Sequence, residues 1–487
     1  MNVGELAVAF VDLILPSILT FDLLAIIYIV FFERRDPGNA TVWVLVLIFV
    51  PVLGFFFYLL FGQHYFSQKK FRLKARGDRE LLDLFTREQK KSLDQVRMGR
   101  SGGHSDPQLE LMDLLLATDG SLLSGGNEVH SFVKGRDKFD ALLEAIRGAE
   151  HHIHMEYYIL RNDELGREVV TALTEKARQG VEVRLLFDAL GNKIPPWGYR
   201  ELTVAGGKVS EFYKVLIPAV TLRVNYHDHR KIAVIDGTTG FLGGFNIGEE
   251  YLGKGPLGFW RDTAIQINGP GVGALQLRFV LDWNYATGEN VSLGRTYFPE
   301  VRGQGSSVVQ IVSGGPDQVW NPIKEEYLKL IGIARDYIYL QTPYFIPDQS
   351  VLDALRIAAL SGVDVRIMFP SKPDHPLVYW ASCSYVAELL DAGVRAYAYN
   401  NGFIHAKTAT VDDKIASIGT ANWDIRSFRL NFETNAVVYD PGFAAEQRKH
   451  FEDDMMVSKE VTKEAYRHRP LPVRAKEGVA RLFSSVL

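Results

Sequence analysis

Cysteine is almost missing from this chain: Cys383 is the single one among 487 residues. An internal disulfide is therefore impossible, and a disulfide scaffold and a Cys-rich zinc site are both excluded. The neighbours Tyr379-Trp380-Ala381-Ser382 are apolar or small, so Cys383 reads as a buried small hydrophobe rather than a reactive thiol. A surplus of positive charge is also lacking, since 54 Lys and Arg face 58 Asp and Glu for a net charge of −4. Composition thus offers nothing for a nucleic-acid binder with a basic surface. No Lys or Arg precedes Arg34, which removes the basic start of a cleaved signal peptide. What is abundant is apolar material, 47% of residues, enough for cores in roughly three domain-sized units at about 150 residues each.

Long hydrophobic runs gather at the start. Leu13 to Phe32 is apolar apart from Asp22 and small breaks at Pro16, Ser17 and Thr20, and Thr41 to Phe61 carries no charge. Each matches the ~20 residues a membrane-spanning helix needs. Residues 1–65 are therefore expected to form a membrane hairpin with spans at about 13–32 and 41–61. The connector Glu33-Arg34-Arg35-Asp36-Pro37-Gly38 is balanced in charge, whereas Lys69, Lys70, Arg72, Lys74, Arg76 and Arg79 follow the second run. The positive-inside bias places the rest of the chain in the cytoplasm. Residues 66–107 read as a basic juxtamembrane tether, its charges serving topology or touching anionic headgroups. Asp22 is either a functional intramembrane acid or the mark of a shallow first helix.

Beyond the tether, strand and helix patterns alternate, as in an α/β fold. The order is written twice. Helix-period residues from Phe139 to Ile146 lead into the strand-like His152 to Ile159, and Tyr327 to Ala334 lead into Tyr337 to Phe345. Gly180-Val181-Glu182-Val183-Arg184-Leu185-Leu186-Phe187 matches Gly362-Val363-Asp364-Val365-Arg366-Ile367-Met368-Phe369 position by position, a helix-stop glycine before a buried strand. Two duplicated halves follow, 108–300 and 301–457, and then a basic tail, 458–487, with Arg467, Arg469, Arg474, Lys476 and Arg481. The tail either lies on a membrane as an amphipathic helix or packs on the core.

A third repeated element carries the chemistry. His229-Arg230-Lys231 runs to Asp236 and closes with Gly243-Gly244-Phe245-Asn246, while His405-Ala406-Lys407 runs to Asp412 and closes with Gly419-Thr420-Ala421-Asn422. The spacing from His to Lys to Asp to Asn is identical. Residues i and i+2 of a strand share a face, so each His projects beside a fixed cation. Asp262 and Glu433 begin matching strands further on. A carboxylate accepting from imidazole Nδ1 orients Nε2, and within this reading Asp262 serves His229 and Glu433 serves His405. A metal site is the rival, because His152, His154 and Glu156 share one strand face and His227, His229 and Lys231 another. The repeat argues against it: Tyr337, Tyr339 and Gln341 stand where the first set would recur. Glu156 and Gln341 are instead expected to line the pocket.

The two copies of His-x-Lys-x4-Asp-x6-Gly-x-x-Asn resemble the signature of the phospholipase D superfamily, over about Val129 to Asp440. The apolar start, with Glu33-Arg34-Arg35-Asp36 and Pro51-Val52-Leu53-Gly54-Phe55, further resembles bacterial cardiolipin synthases. The resemblance implies two α/β/α sandwich halves packed as one pseudo-twofold unit behind two transmembrane helices, in the bacterial inner membrane with the catalytic region cytoplasmic. It implies phosphatidyl transfer between two phosphatidylglycerol molecules, giving cardiolipin and glycerol through a phosphohistidine. Phosphatidylglycerol and anionic lipids are then the partners, with no nucleic acid, metal or other cofactor. His229 is the expected nucleophile and His405 the acid/base, the duplication leaving the reverse open. Lys231, Lys407, Asn246 and Asn422 would bind the non-bridging oxygens, while Asp236 and Asp412 belong to the signature and are expected to support its strands. The rival functions are a phospholipase D hydrolase, a superfamily nuclease and a non-catalytic scaffold. Water must be kept from the intermediate. The Pro-rich, aromatic-ending segments 192–197 and 371–380 either rim an acyl-chain entrance at the bilayer or pack between the halves.

Overall fold

The computed structural model describes residues 15–32, 37–58, 89–90, 106–213, 226–291, 293–301 and 303–484. The connector 33–36 and the basic residues from Lys69 to Arg79 lie outside the described residues. The apolar start forms three helices: α1 (Leu15–Phe31), α2 (Pro37–Phe49) and α3 (Pro51–Phe57). The second run breaks at Val50 because Pro51 has no N–H for the preceding turn and opens a new helix instead. The expected spans thus become helices of 17, 13 and 7 residues. Among the described residues no helix is long and apolar enough to cross a membrane. Ile29, Leu47 and Tyr58 pack together. Gly54 lets α3 approach α2, since a Cβ there would lie 2.8 Å from the Val46 carbonyl oxygen. Asp22 is buried in this packing, whereas Phe21, Phe31, Phe49 and Leu53 are exposed.

The larger unit opens with α4 (Pro107–Thr118), capped by the Asp106 carboxylate accepting from Gln108 N–H. Its first half runs β1 (Leu123–Phe132), α5 (Gly135–Gly148), β2 (His152–Tyr157), α6 (Glu164–Arg178), β3 (Glu182–Phe187), α7 (Arg200–Val204) and β4 (Lys208–Glu211). The hairpin β5 (Lys231–Ile235) and β6 (Thr239–Gly243) follows, then β7 (Trp260–Arg261), β8 (Ala264–Asn268) and α8 (Val272–Thr287). The second half repeats the plan with β9 (Ser307–Gly314), α9 (Pro322–Ile333), β10 (Tyr337–Gln341), β11 (Phe345–Ile346), α10 (Gln349–Leu360), β12 (Asp364–Pro370), α11 (Pro376–Leu390) and β13 (Arg395–Tyr399). After β14 (Phe403–Ile404) come β15 (Thr408–Val411), β16 (Ile415–Gly419), β17 (Trp423–Asp424), α12 (Ile425–Arg429), β18 (Glu433–Tyr439) and α13 (Pro441–Met456). The tail supplies β19 (Ser458–Val461), α14 (Lys463–Arg467) and α15 (Leu471–Leu482).

Fifteen strands form one sheet, in the order β19-β13-β12-β10-β15-β16-β18-β9-β1-β8-β6-β5-β2-β3-β4. From the middle outward, β9-β18-β16-β15-β10-β12-β13 mirrors β1-β8-β6-β5-β2-β3-β4. The duplication is therefore a twofold in the sheet, with its axis between the antiparallel neighbours β9 and β1. Each half has its own core, and a third is shared: Ile232, Val234 and Leu242 of the first hairpin pack with Ala416, Ile418 and Ala436 of the second half. Burying each of the larger side chains stabilises by about 1.5–3 kcal/mol, so the halves hold each other in place. The tail is built in, with β19 pairing antiparallel to β13. Along α11, Arg481 bonds Glu388 and Lys476 lies 5.3 Å from the Trp380 ring centre. Cys383 packs against the second core, and burial pushes its thiol up to about 12.

Candidate active site

Both His-x-Lys pairs emerge at the C-terminal ends of parallel strands. β5 runs antiparallel to β2, which puts Lys231 opposite Tyr157, the last residue of β2. β15 runs antiparallel to β10, which puts Thr408 opposite Gln341, its last residue. Two short parallel bridges then join the halves at this end. Phe403 and Ile404 pair with Trp260 and Arg261, and Asp228 pairs with Phe432. His229 N–H donates to the Phe432 carbonyl at 2.9 Å, and His405 N–H to the Arg261 carbonyl at 2.7 Å. Phe432 precedes Glu433 and Arg261 precedes Asp262, so each bridge carries a carboxylate to the imidazole of the other half. His229 Nδ1 lies 2.9 Å from Glu433, and His405 Nδ1 lies 2.6 Å from Asp262. This corrects the expected assignment of Asp262 to His229 and of Glu433 to His405. Order along the repeat suggested pairing within a half, whereas strand pairing between halves decides it.

The site is buried and rich in positive groups. His229, His405, Lys231 and Lys407 are all buried, as are both carboxylates. Each lysine donates to the carbonyl oxygen of its own motif histidine. Burial holds His229 well below the usual imidazole value, and the charges of Lys231, Lys407 and His405 push the same way. For His405, burial and Lys407 outweigh Asp262 and lower the pKa to about 4. These fields cross between the halves. Burial lowers Lys231 to about 7 against the pull of Glu433, and Lys407 to about 8 against Asp262 and Glu433. An anion between them would offset both penalties.

The two carboxylates are held differently. Glu433 accepts from Thr420 Oγ1 at 2.5 Å and Asn431 Nδ2 at 3.2 Å. Burial raises it to about 7, with Lys231 opposing. Asp262 accepts from Thr263 N–H at 2.7 Å. Gly244 stands where the second half has Thr420, and a Cβ there would fall 2.0 Å from Asp262 Oδ1, so the shorter acid needs the glycine. Lys138 is buried with its ammonium 3.0 Å from the Tyr157 hydroxyl. Burial pulls it to about 7 while the Asp262 charge resists.

The remaining expected residues divide. Asn246 accepts from Ile159 N–H and donates to the Tyr251 hydroxyl, which is 3.3 Å from His405 Nδ1. Asn422 donates to Asp424 at 3.0 Å, and its carbonyl oxygen is buried without a hydrogen-bond partner. Asp236 and Asp412 are not brought to the site: five residues of strand, about 16 Å, separate each from its lysine. Asp236 accepts from the N–H groups of Glu150, His151 and His152, and Asp412 from those of Arg335, Asp336 and Tyr337. Each ties its strand to the turn ahead of the neighbouring one, with φ near +54° and +52°. Glu156 and Gln341 do not line a pocket either, being buried beneath the site. Glu156 lies 4.0 Å from Arg230, which bonds Asp282 of α8, and Gln341 bonds Asp454 of α13. Of the rival metal set, His152 and His154 bond Gln276 of α8, and His154 stacks on Phe279. Among the described residues no group of three or more His, Cys, Asp or Glu is placed to hold a metal ion.

Sequence reasoning missed Tyr158, whose ring centre is 4.8 Å from that of His229, together with Tyr251, Asn431 and Lys138. None carries a repeat signal, and Lys138 reads as a surface residue of α5.

The sequence model of the family described as cardiolipin synthase, PLD-like domain, matches residues 142–254 and 327–455, which contain both His-x-Lys strands. A second, described as phospholipase D-nuclease N-terminal, matches residues 20–63. A cardiolipin synthase of Staphylococcus aureus (strain N315) is 46% identical over 462 residues, 94% of this chain and 93% of that protein. The major cardiolipin synthase of Bacillus subtilis (strain 168) is 45% identical over 482 residues, 98% of this chain and 99% of that one. In fold, the chain resembles the crystal structure of phosphatidylserine synthase from Haemophilus influenzae Rd KW20, with a TM-score of 0.60 at 15% identity over 78% of this chain and 100% of that one. With identity of this level over nearly its full length, and the duplicated domain in register with both motifs, this chain belongs to the cardiolipin synthases of the phospholipase D superfamily.

Proposed function

We propose that the chain moves the phosphatidyl group of one phosphatidylglycerol onto a second, giving cardiolipin and glycerol. The observation that carries this reading is the exchange of carboxylates. Each imidazole is held at Nδ1 by an acid of the other half, which leaves each Nε2 free for phosphorus and supports a site shared by the two halves. His229 Nε2 attacks phosphorus, the P–O bond to the glycerol headgroup breaks, and His405 protonates the departing alkoxide. Glycerol leaves and the phosphatidyl group stays on His229. The hydroxyl of a second phosphatidylglycerol then gives its proton to His405 and attacks the same phosphorus, and the P–N bond breaks. One phosphodiester replaces another, so the direction follows the concentrations of lipid and glycerol.

The charges suit this cycle. Both imidazoles lie below their usual pKa, so His229 is neutral and nucleophilic near pH 7. A bound phosphodiester opposes the two ammonium charges and raises His405 towards the protonated form an acid needs. Lys231, Lys407 and the remaining N–H groups of Asn246 and Asn422 serve the non-bridging oxygens, where charge grows in the transition state.

The N-terminal helices are read as holding the chain at the bacterial cell membrane, with the catalytic unit on the cytoplasmic side. Their outward side chains support this: Phe31 and Phe49 are 76% and 77% exposed, an apolar surface that water does not favour. The test of the whole reading is purified full-length protein in phosphatidylglycerol vesicles. Cardiolipin and glycerol should appear in equal amounts, and His229→Ala and His405→Ala should abolish both. Phosphatidic acid as the main product would make the chain a hydrolase.

A further inference from the structure

The larger unit contains six of the chain's seven tryptophans, and they are not treated alike. Trp283 and Trp423 are fully buried and Trp260 and Trp380 half-buried, whereas Trp197 is 76% and Trp320 56% exposed. Topology puts both exposed rings at one end. β3 is parallel to β2, whose last residue pairs with the start of β5, so the loop that carries Trp197 leaves from the same end of the sheet as His229. In the second half Gly314, the end of β9, pairs with Glu433, so the loop that carries Val319 and Trp320 leaves beside the carboxylate of His229. Gln341 pairs with both Met368 of β12 and Thr408. The loop after β12 and the start of α11, with Leu377, therefore lie at the same end of the sheet as Lys407. Val319 is 71% and Leu377 40% exposed. Trp380 lies under Lys476 instead.

The carboxylates of these loops, Asp188, Asp317 and Asp374, are buried or half-buried, which leaves the exposed charge to lysine. Lys193 and Lys372 are exposed, and among the described residues neither pairs with a carboxylate. Indole rings at the level of lipid headgroups, flanked by lysines, fit an anionic bilayer. A soluble protein partner would instead favour a dry apolar centre depleted in lysine.

We propose that the catalytic unit docks on the bilayer through this end, Trp197 and Trp320 entering the headgroup region and Lys193 and Lys372 meeting anionic lipid. The inference rests on the lipid-transferase reading and adds to it how substrate reaches a buried phosphate site: the lipid slides from the bilayer into the site between the loops, with its acyl chains never crossing water.

Full-length protein in vesicles of phosphatidylglycerol carrying brominated acyl chains tests this. Trp197→Ala with Trp320→Ala is compared with the unaltered chain on those vesicles and on monomeric short-chain phosphatidylglycerol. Bromine quenching of the tryptophan emission should shrink in the double variant. Turnover should fall about tenfold on vesicles and stay within twofold on the monomeric lipid. Unchanged quenching, or an equal fall on both substrates, overturns the docking face. If the unaltered chain makes cardiolipin from neither substrate, the transferase reading fails, while the quenching still reports whether these rings enter the bilayer.

Discussion

The two halves of the site use the same parts and arrange them unequally. His229 leans on Glu433, a long acid supported by the Thr420 hydroxyl and the Asn431 amide. His405 leans on Asp262, a short acid that fits only because Gly244 has no side chain. The arginines beneath are exchanged as well. The first motif carries Arg230 and faces Phe432, its guanidinium bonded to Asp282. The second motif carries Ala406 and faces Arg261, which bonds Asp454. Each bridge thus keeps one guanidinium, drawn from whichever strand supplies it. The lesson is division of labour. Burial and the lysine charges hold both imidazoles below their usual pKa. A nucleophile must be unprotonated, while an acid must regain its proton when substrate arrives.

This comparison breaks most sharply at the histidines. His229→Ala and His405→Ala should each lower cardiolipin synthesis by at least about 10³-fold, and a phosphatidyl ester of p-nitrophenol should separate them. That leaving group needs no proton, so His405→Ala should release about one equivalent of nitrophenol in a burst and His229→Ala none. The opposite pattern would exchange the two roles. The carboxylates come next. Glu433→Gln and Asp262→Asn should each cost about 10²–10⁴-fold in kcat, as loss of a histidine-orienting acid does. Because the pairs cross between halves, only Asp262→Asn should recover its burst with the nitrophenyl ester. Recovery by Glu433→Gln instead would restore pairing within a half.

Acidity gives a smaller effect, read as kcat/KM between pH 5 and 9. In the proposed mechanism the ammonium forms of Lys231 and Lys407 hold the phosphate oxygens, and burial lowers them to about 7 and about 8. They are present below those values and lost above, so kcat/KM should fall as pH rises through 7–8. A profile flat to pH 9 would show that the lysines keep their charge by some other means. Smallest in chemistry is Asp236→Asn. Burial alone would raise that carboxyl, but three backbone N–H bonds hold it below its ordinary value. A depressed carboxyl adds stability above the unfolded pKa, near 3.9, and loses it as pH falls towards the folded one. The variant should be less stable by about 2 kcal/mol at pH 7, the gap closing in acid, with activity per folded molecule changed only a few-fold. Denaturant titrations at pH 7 and pH 3.5 check this, and an equal gap at both would remove the charge from the explanation.

Much of this was legible before folding. The 2-residue period of a strand puts His229 beside Lys231 and His405 beside Lys407, and a motif copied at one spacing in two matched contexts points to one shared site. The helix-stop glycines at Gly180 and Gly362 and the apolar strands after them marked the sheet. Other residues gave no such sign. Asp236 and Asp412 are expected from their place in the motif to support their strands, but the motif does not show which backbone N–H groups they bind, because those lie ahead of a neighbouring strand. Glu156 and Gln341 share a strand face that the helices α8 and α13 cover, which no periodicity of β2 or β10 reveals. Pro51 was visible in the second apolar run, and its missing N–H broke that helix.

By itself the sequence determined the duplication, the recurring succession of helix and strand along each half and the identity of the histidines and lysines, because these follow from local period and repetition. Which acid meets which imidazole, which glycine makes room for it and which tryptophans stay outside were decided only by the tertiary structure. Those pairings arise where Asp228 meets Phe432 and Ile404 meets Arg261, hydrogen bonds between segments about 150–200 residues apart. Such contacts depend on how two cores pack against each other, and no local pattern encodes that.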